Sequence, residues 1–232
     1  MAPPPSLAPT TPYTVTVHPF PSAARWSCAY ERGNPSARNA LVYITGLSGG
    51  PHAIDLGHID EALRKASGTV SYSVWEFRMR SSYTGFGYSS LANDAEDTAS
   101  FVRYLRDDLG KQRVVLMGHS TGCQDCMIYG SGDRDPDSPA VDGYILLAPV
   151  SDREMASLIT QPDELERSVK TARDMIDRGQ EQEIMPKGSI PAVFYSPVTA
   201  YRWYSLAAEG YVYCTIPMSG PRVIPFIALL TL

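Results

Sequence analysis

Apolar and polar residues alternate with a period of two along "YTVTVH" (13–18), which predicts a short strand with one covered face. "WSCAYERG" (26–33) carries a similar pattern and is its natural hairpin partner. "ALVYITG" (40–46) is different: a continuous apolar run that stops at glycine, the pattern of a strand buried on both faces. A glycine-rich "GLSGGPH" follows, then a helix is predicted over 55–66 and a further strand over "TVSYSVWEF" (69–77). Leu91, Ala95, Ala99, Val102, Leu105 and Leu109 recur at helical spacing, with Asn93, Asp94, Glu96, Arg103 and Arg106 on other faces, so this segment predicts an amphipathic helix that can cover a sheet.

The alternation continues with a strand over "RVVLM" (113–117), a helix over 123–129, the turn-rich "GSGDRDPDSPA" and a strand over "VDGYILLAP" (141–149). A charged helix is predicted over 161–180, with Pro162 at its start and Gly179 at its end as boundary residues. Beyond Gly188 the pattern weakens. The aromatic residues Tyr195, Tyr201, Trp203 and Tyr204 either line a pocket or pack against the sheet. In "YVYCTIPMSGPRVIPFIALLTL" the prolines 217, 221 and 225 exclude a long helix, and no strand–helix unit is visible.

Strands alternating with helices predict an α/β fold, a mostly parallel sheet flanked by helices. The chain of 232 residues suits one domain, expected over 13–209, with a polar leader at 1–12, an atypical tail at 210–232 and a cap region within about 155–205. The formal charge of -5 and the lack of a basic stripe argue against a nucleic-acid partner. No apolar run is long enough to predict a membrane span, and the opening lacks the features of a signal peptide, so a cytoplasmic location is the expectation. Cys123 and Cys126 have the spacing of a redox motif or half a zinc site, but no matching second pair exists. They are read as structural thiols, and neither a metal nor a cofactor is expected.

The chemistry concentrates at Gly118-His119-Ser120-Thr121-Gly122, which fits the G-x-S-x-G nucleophile elbow. A serine hydroxyl attacks a carbonyl only if it projects clear of the backbone, and small flanking residues allow the tight strand-to-helix turn that achieves this. The Thr121 N–H then faces the developing oxyanion, and a second donor is expected from the loop Gly46–Gly50, at Leu47 or Ser48. The alternative is a turn serine with no hydrolytic role.

Four segments, "YITGLSGG", "SSYTGFGYSSL", "LMGHSTGCQD" and "LLAPVSDRE", occur in this order, and with them the chain resembles the fungal DUF1749 family of α/β-hydrolases over about residues 13–209. The resemblance implies the α/β-hydrolase fold and serine-dependent acyl hydrolysis. The family includes a siderophore-hydrolysing esterase, so a small-molecule ester or siderophore-like substrate is implied too. His52, Tyr83 and Tyr195 are candidate substrate contacts.

A nucleophilic serine needs a general base, normally a histidine oriented by a carboxylate and placed late in the chain in this fold. The four histidines, His18, His52, His58 and His119, all precede Ser120. His52 is the least implausible substitute. Asp152, just after a predicted strand, is the candidate acid. The expectation is a hydrolase incomplete on its C-terminal side, acting poorly or not at all. A hydrolase-fold protein that binds a ligand or partner without turnover is the competing reading, and a redox protein is the third.

Overall fold

A computed structural model of the protein describes residues 9–66, 71–131, 136–191, 194, 196–209 and 223–225. The strands are β1 (Thr16–Pro19), β2 (Cys28–Arg32), β3 (Asn39–Ile44), β4 (Tyr72–Phe77), β5 (Arg113–His119), β6 (Gly143–Leu147) and β7 (Val223–Pro225). The helices are α1 (Gly57–Lys65), α2 (Leu91–Arg103), α3 (Gly122–Gly130), α4 (Asp152–Ile159), α5 (Pro162–Ile176) and α6 (Ala200–Ala207). A 3₁₀ turn spans Tyr83–Gly87, and α2 runs on into a π turn over Tyr104–Asp108.

All seven strands form one sheet in the order β1-β2-β4-β3-β5-β6-β7. β1, β2 and β4 pair antiparallel, and β4, β3, β5, β6 and β7 pair parallel. This is the mixed sheet flanked by helices of an α/β-hydrolase fold, as the strand–helix alternation predicts. β3 and β5 lie at the centre, which is why their sequences are continuously apolar rather than alternating.

Side chains leave the sheet toward two cores. One face, with Val42, Ile44, Trp75, Phe77 and Leu116, packs against Phe101, Val102, Leu105, Cys123, Cys126 and Tyr129 from the α2 and α3 side. The other, with Leu41, Tyr43, Val74 and Met117, is covered by Leu56 and by Ile59 and Leu63 of α1. A third core joins Ala156 of α4, Leu165, Ala172 and Met175 of α5, and Trp203 and Ala207 of α6, with Phe86 and Leu47 packed onto it.

Helix starts follow from local chemistry. Ser90, Ser151 and Thr199 each accept a hydrogen bond from a first-turn N–H, of Asn93, Glu154 and Arg202 respectively, and Pro162 opens α5. α4 and α6 escape a reading of the sequence because eight residues give too few turns to establish a period. Residues 223–225 form a short strand in the segment where the sequence shows no strand–helix unit. Their register sets Tyr144 against Val223 and Leu146 against Pro225. Three residues ending at a proline leave no periodic signal, and only the partner strand reveals the pairing.

Candidate active site

Ile44 pairs with Gly118, so β3 and β5 end level and their following loops emerge side by side at the carboxyl edge of the sheet. Ser120 occupies the turn between β5 and α3 with φ 55°, a left-handed conformation that costs a non-glycine residue on the order of 1–2 kcal/mol. It is held there from both sides: the Ser120 N–H donates to Leu147 O at 3.0 Å, and the Cys123 N–H donates to Ser120 O at 2.9 Å. The flanking glycines are required by close approach. A Cβ on Gly118 would strike the Gly122 carbonyl, and one on Gly122 would strike the Ile44 carbonyl. The turn is therefore the tight strand-to-helix elbow that the five-residue pattern implies.

The β3 loop lies directly against it. A Cβ on Gly46 would stand 2.9 Å from Ser120 Cβ. Among the described residues, neither the Leu47 nor the Thr121 N–H is engaged in a hydrogen bond. Leu47 and Thr121 also line the same small cavity behind the loop. The structure thus brings both candidate oxyanion residues to one side of the nucleophile elbow.

Asp152, at the first turn of α4, meets the elbow from β6. Thr121 Oγ1 donates to Asp152 Oδ1 at 3.2 Å, and Gln124 both hydrogen-bonds Asp152 and donates to Val150 O at 3.3 Å. Burial pushes the Asp152 carboxyl up, while Arg202, Gln124 and Thr121 pull it down. Among the described residues no histidine bonds this carboxylate.

The histidines are placed as follows. His119 precedes Ser120, its Nδ1 is buried with no partner among the described residues, and burial lowers its pKa. His52 has φ 69° and stands over β4, where Tyr13 Oη lies 2.7 Å and Glu76 Oε2 3.3 Å from its Nδ1. Its N–H donates to Glu76 Oε1 at 2.9 Å. Burial raises Glu76 to about 7 and lowers His52. Among the described residues, no histidine hydrogen-bonds Ser120.

Tyr83, with φ 60°, pins the glycine loop. Its N–H donates to Gly49 O at 2.6 Å, its Oη donates to Pro51 O at 2.5 Å, and its ring lies over Gly50. Half the side chain remains exposed at the mouth of the loop. Tyr195 lies outside the described residues. Cys123 and Cys126 are buried within α3, and burial raises the Cys123 thiol to about 11, so neither has the character of a reactive thiolate.

Asp94, Asp125 and Arg202 converge behind the glycine loop although they come from α2, α3 and α6, and nothing in the sequence pairs them. The signal available was a lone arginine within the apolar, aromatic "AYRWYSLA" and an aspartate within "GCQDCMIYG", charged residues on segments otherwise fit for burial.

Comparison with known families fits this geometry. The family model described as "Protein of unknown function (DUF1749)" matches residues 7–211. The chain belongs to this family. Among curated relatives, Esterase AN6793 of Emericella nidulans is 28% identical over 192 residues, covering 70% of this chain and 50% of the relative. Fusarinine C esterase sidJ of Aspergillus fumigatus is 28% identical over 142 residues, covering 50% of this chain and 38% of that protein. The chain thus spans about half or less of the length of these relatives. Among solved structures, the siderophore hydrolase EstB from Aspergillus fumigatus superposes with a TM-score of 0.64 at 22% identity, covering 87% of this chain and 66% of that one. That likeness shows a shared α/β-hydrolase fold.

Proposed function

We propose that this member of the family is a serine hydrolase of the esterase or amidase type, with Ser120 as nucleophile. The observation that carries the reading is the left-handed Ser120 at the end of a central parallel strand, with Gly46 of the neighbouring loop packed against it. Ser120 Oγ adds to the ester carbonyl carbon, and the oxyanion is received by the N–H groups of Leu47 and Thr121. The carbon–oxygen bond to the leaving alcohol then breaks, the serine's proton ending on the departing alkoxide oxygen, and water hydrolyses the acyl-serine to the acid and free Ser120. Asp152 is the carboxylate assigned to the elbow, and helices within about 155–205 form the cap. His52, Tyr83 and Tyr195 contact substrate. The substrate class is a small ester, and the relatives' names support a siderophore ester.

A second reading is favoured by one observation: among the described residues, no histidine hydrogen-bonds Ser120. In that reading the fold binds an ester-like ligand without turning it over.

Fluorophosphonate labelling and p-nitrophenyl ester hydrolysis, with S120A as control, separate the two. Labelling at Ser120 that S120A removes, with slow steady-state hydrolysis, is the expected result. Robust hydrolysis abolished by S120A rejects the non-catalytic reading and directs the search for a base to His52. Hydrolysis unchanged in S120A overturns the nucleophile assignment.

A further inference from the structure

Behind the glycine loop lies a small cavity of about 20 Å³, walled by Thr45–Gly49, Ser81, Thr121, Asp94, Asp125 and Arg202, among others. Its charged walls are almost inaccessible: Asp94 is 2%, Asp125 4% and Arg202 3% exposed. The volume is enough for a water molecule beside these groups. Asp125 Oδ1 is buried and has no hydrogen-bond partner among the described residues. A buried carboxyl oxygen left in this way costs about 1–3 kcal/mol or more, a penalty that native structures avoid by placing a water.

We propose that this cavity binds one water molecule, hydrogen-bonded to Asp125 Oδ1 and to the polar wall of the 45–49 loop. Asp125 and Arg202 are then positioning residues that hold the Leu47 and Thr121 N–H groups toward Ser120. The second half of this statement rests on the serine-hydrolase reading, while the water site itself does not.

The charges of the chamber support it. Arg202 donates from Nε to Phe86 O at 3.1 Å and interacts electrostatically with Asp94, Asp125 and Asp152. One guanidinium cannot balance three carboxylates at a site this buried, so protons remain on the acids. Burial and the neighbouring acids raise Asp125 well above the usual carboxylate range, and burial raises Asp94 to about 6. A water in the cavity can donate to a carboxylate or accept from a carboxylic acid, so it satisfies Asp125 in either form. Thr121 ties the chamber to the elbow by its bond to Asp152, and Thr45 to Gly49 form the wall shared with the nucleophile's neighbouring loop.

The test is a high-resolution crystal structure of the full chain, paired with hydrogen exchange on D125N and D125L. One spherical peak at hydrogen-bond distance from Asp125 Oδ1 is expected in the wild type and in D125N. An empty cavity, a protein group filling it, or a peak at the roughly 2.3–2.6 Å of a bound cation overturns the site. In D125L, where the water loses its acceptor, the Gly49 amide, which donates to Gly46 O at 3.0 Å, is expected to exchange roughly 5- to 10-fold faster, one hydrogen bond's worth, with global protection retained. Exchange in D125L as slow as in the wild type overturns the positioning role. Should D125L not fold, the wild-type peak decides the site, and D125A, which also removes the acceptor, decides the positioning role by the same exchange measurement. Absence of fluorophosphonate labelling in every variant, wild type included, counts against the nucleophile and leaves the water site standing on density and exchange.

Discussion

Gly46 and Ser120 belong to neighbouring parallel strands' loops, and a single added methyl on the first would stand 2.9 Å from the Cβ of the second. The contact leaves no space between the loop that carries Leu47 and the turn that carries the serine. G46A is therefore expected to move one against the other. Labelling of Ser120 by a fluorophosphonate should slow roughly 10- to 100-fold, since displacements of about 1 Å at a reacting centre have effects of that order. Gel-based labelling rates measure it; a rate equal to wild type would mean that this contact does not govern reactivity.

The left-handed backbone at Ser120 stores strain that a glycine relieves. S120G and S120A both remove the hydroxyl, but only the first suits φ 55°. S120G is expected to be the more stable by about 0.5–1 kcal/mol, within the range attributed to such conformations. Urea denaturation of the two variants compares them directly, and an S120A that matches or exceeds S120G contradicts a strained elbow.

Thr121 anchors Asp152 through a hydroxyl donor at 3.2 Å. Valine preserves the shape of threonine and removes that donor. T121V is expected to lose about 1–2 kcal/mol, because a mostly buried carboxylate loses a partner, whereas T121S retains the bond and most of the stability. Chemical denaturation midpoints check the order wild type, T121S, T121V.

Glu76 supplies a pH dependence of defined sign. Its carboxyl titrates near 7 in the folded protein against an ordinary value of 4.5. Between those values the folded state holds a proton that the unfolded state has released, so this group's contribution to stability is lost as pH rises through the window. E76Q removes the titration while its amide oxygen can still accept the His52 N–H. Relative to wild type, E76Q should be more stable at pH 8 than at pH 4, by on the order of 1–3 kcal/mol, as read from thermal melts across that range. A difference that does not change with pH would refute the assignment.

The parts of this molecule legible in its sequence are those whose physics is local. Continuous apolar runs mark β3 and β5 because both faces of a central strand are covered, and G-x-S-x-G marks the elbow because glycines 118 and 122 answer to backbone atoms within contact distance. The hairpin of β1 and β2 follows from alternation, and α5 from its proline start and charged face. Asp152 is found at the edge of β6 for the same reason: a strand end is a local feature. The chamber of Asp94, Asp125 and Arg202 is not local. Each residue sits alone in its own helix, and only the packing of α2, α3 and α6 around the glycine loop makes them neighbours. The contacts of His52 and Tyr83 are likewise not local, since Glu76, Tyr13 and Gly50 reach them only through the fold.

The separate cores give the protein three optical reporters. Its three tryptophans divide cleanly: Trp75 is sealed in the sheet core, Trp203 in the helical core, and Trp26 is 83% exposed. Acrylamide should quench the surface indole first, leaving emission from two shielded ones in different compartments. With each of Trp75 and Trp203 replaced in turn by phenylalanine, the fluorescence of the remaining buried indole follows its own layer through denaturation, and coincident or divergent transitions tell whether sheet and helical layer melt as one cooperative body.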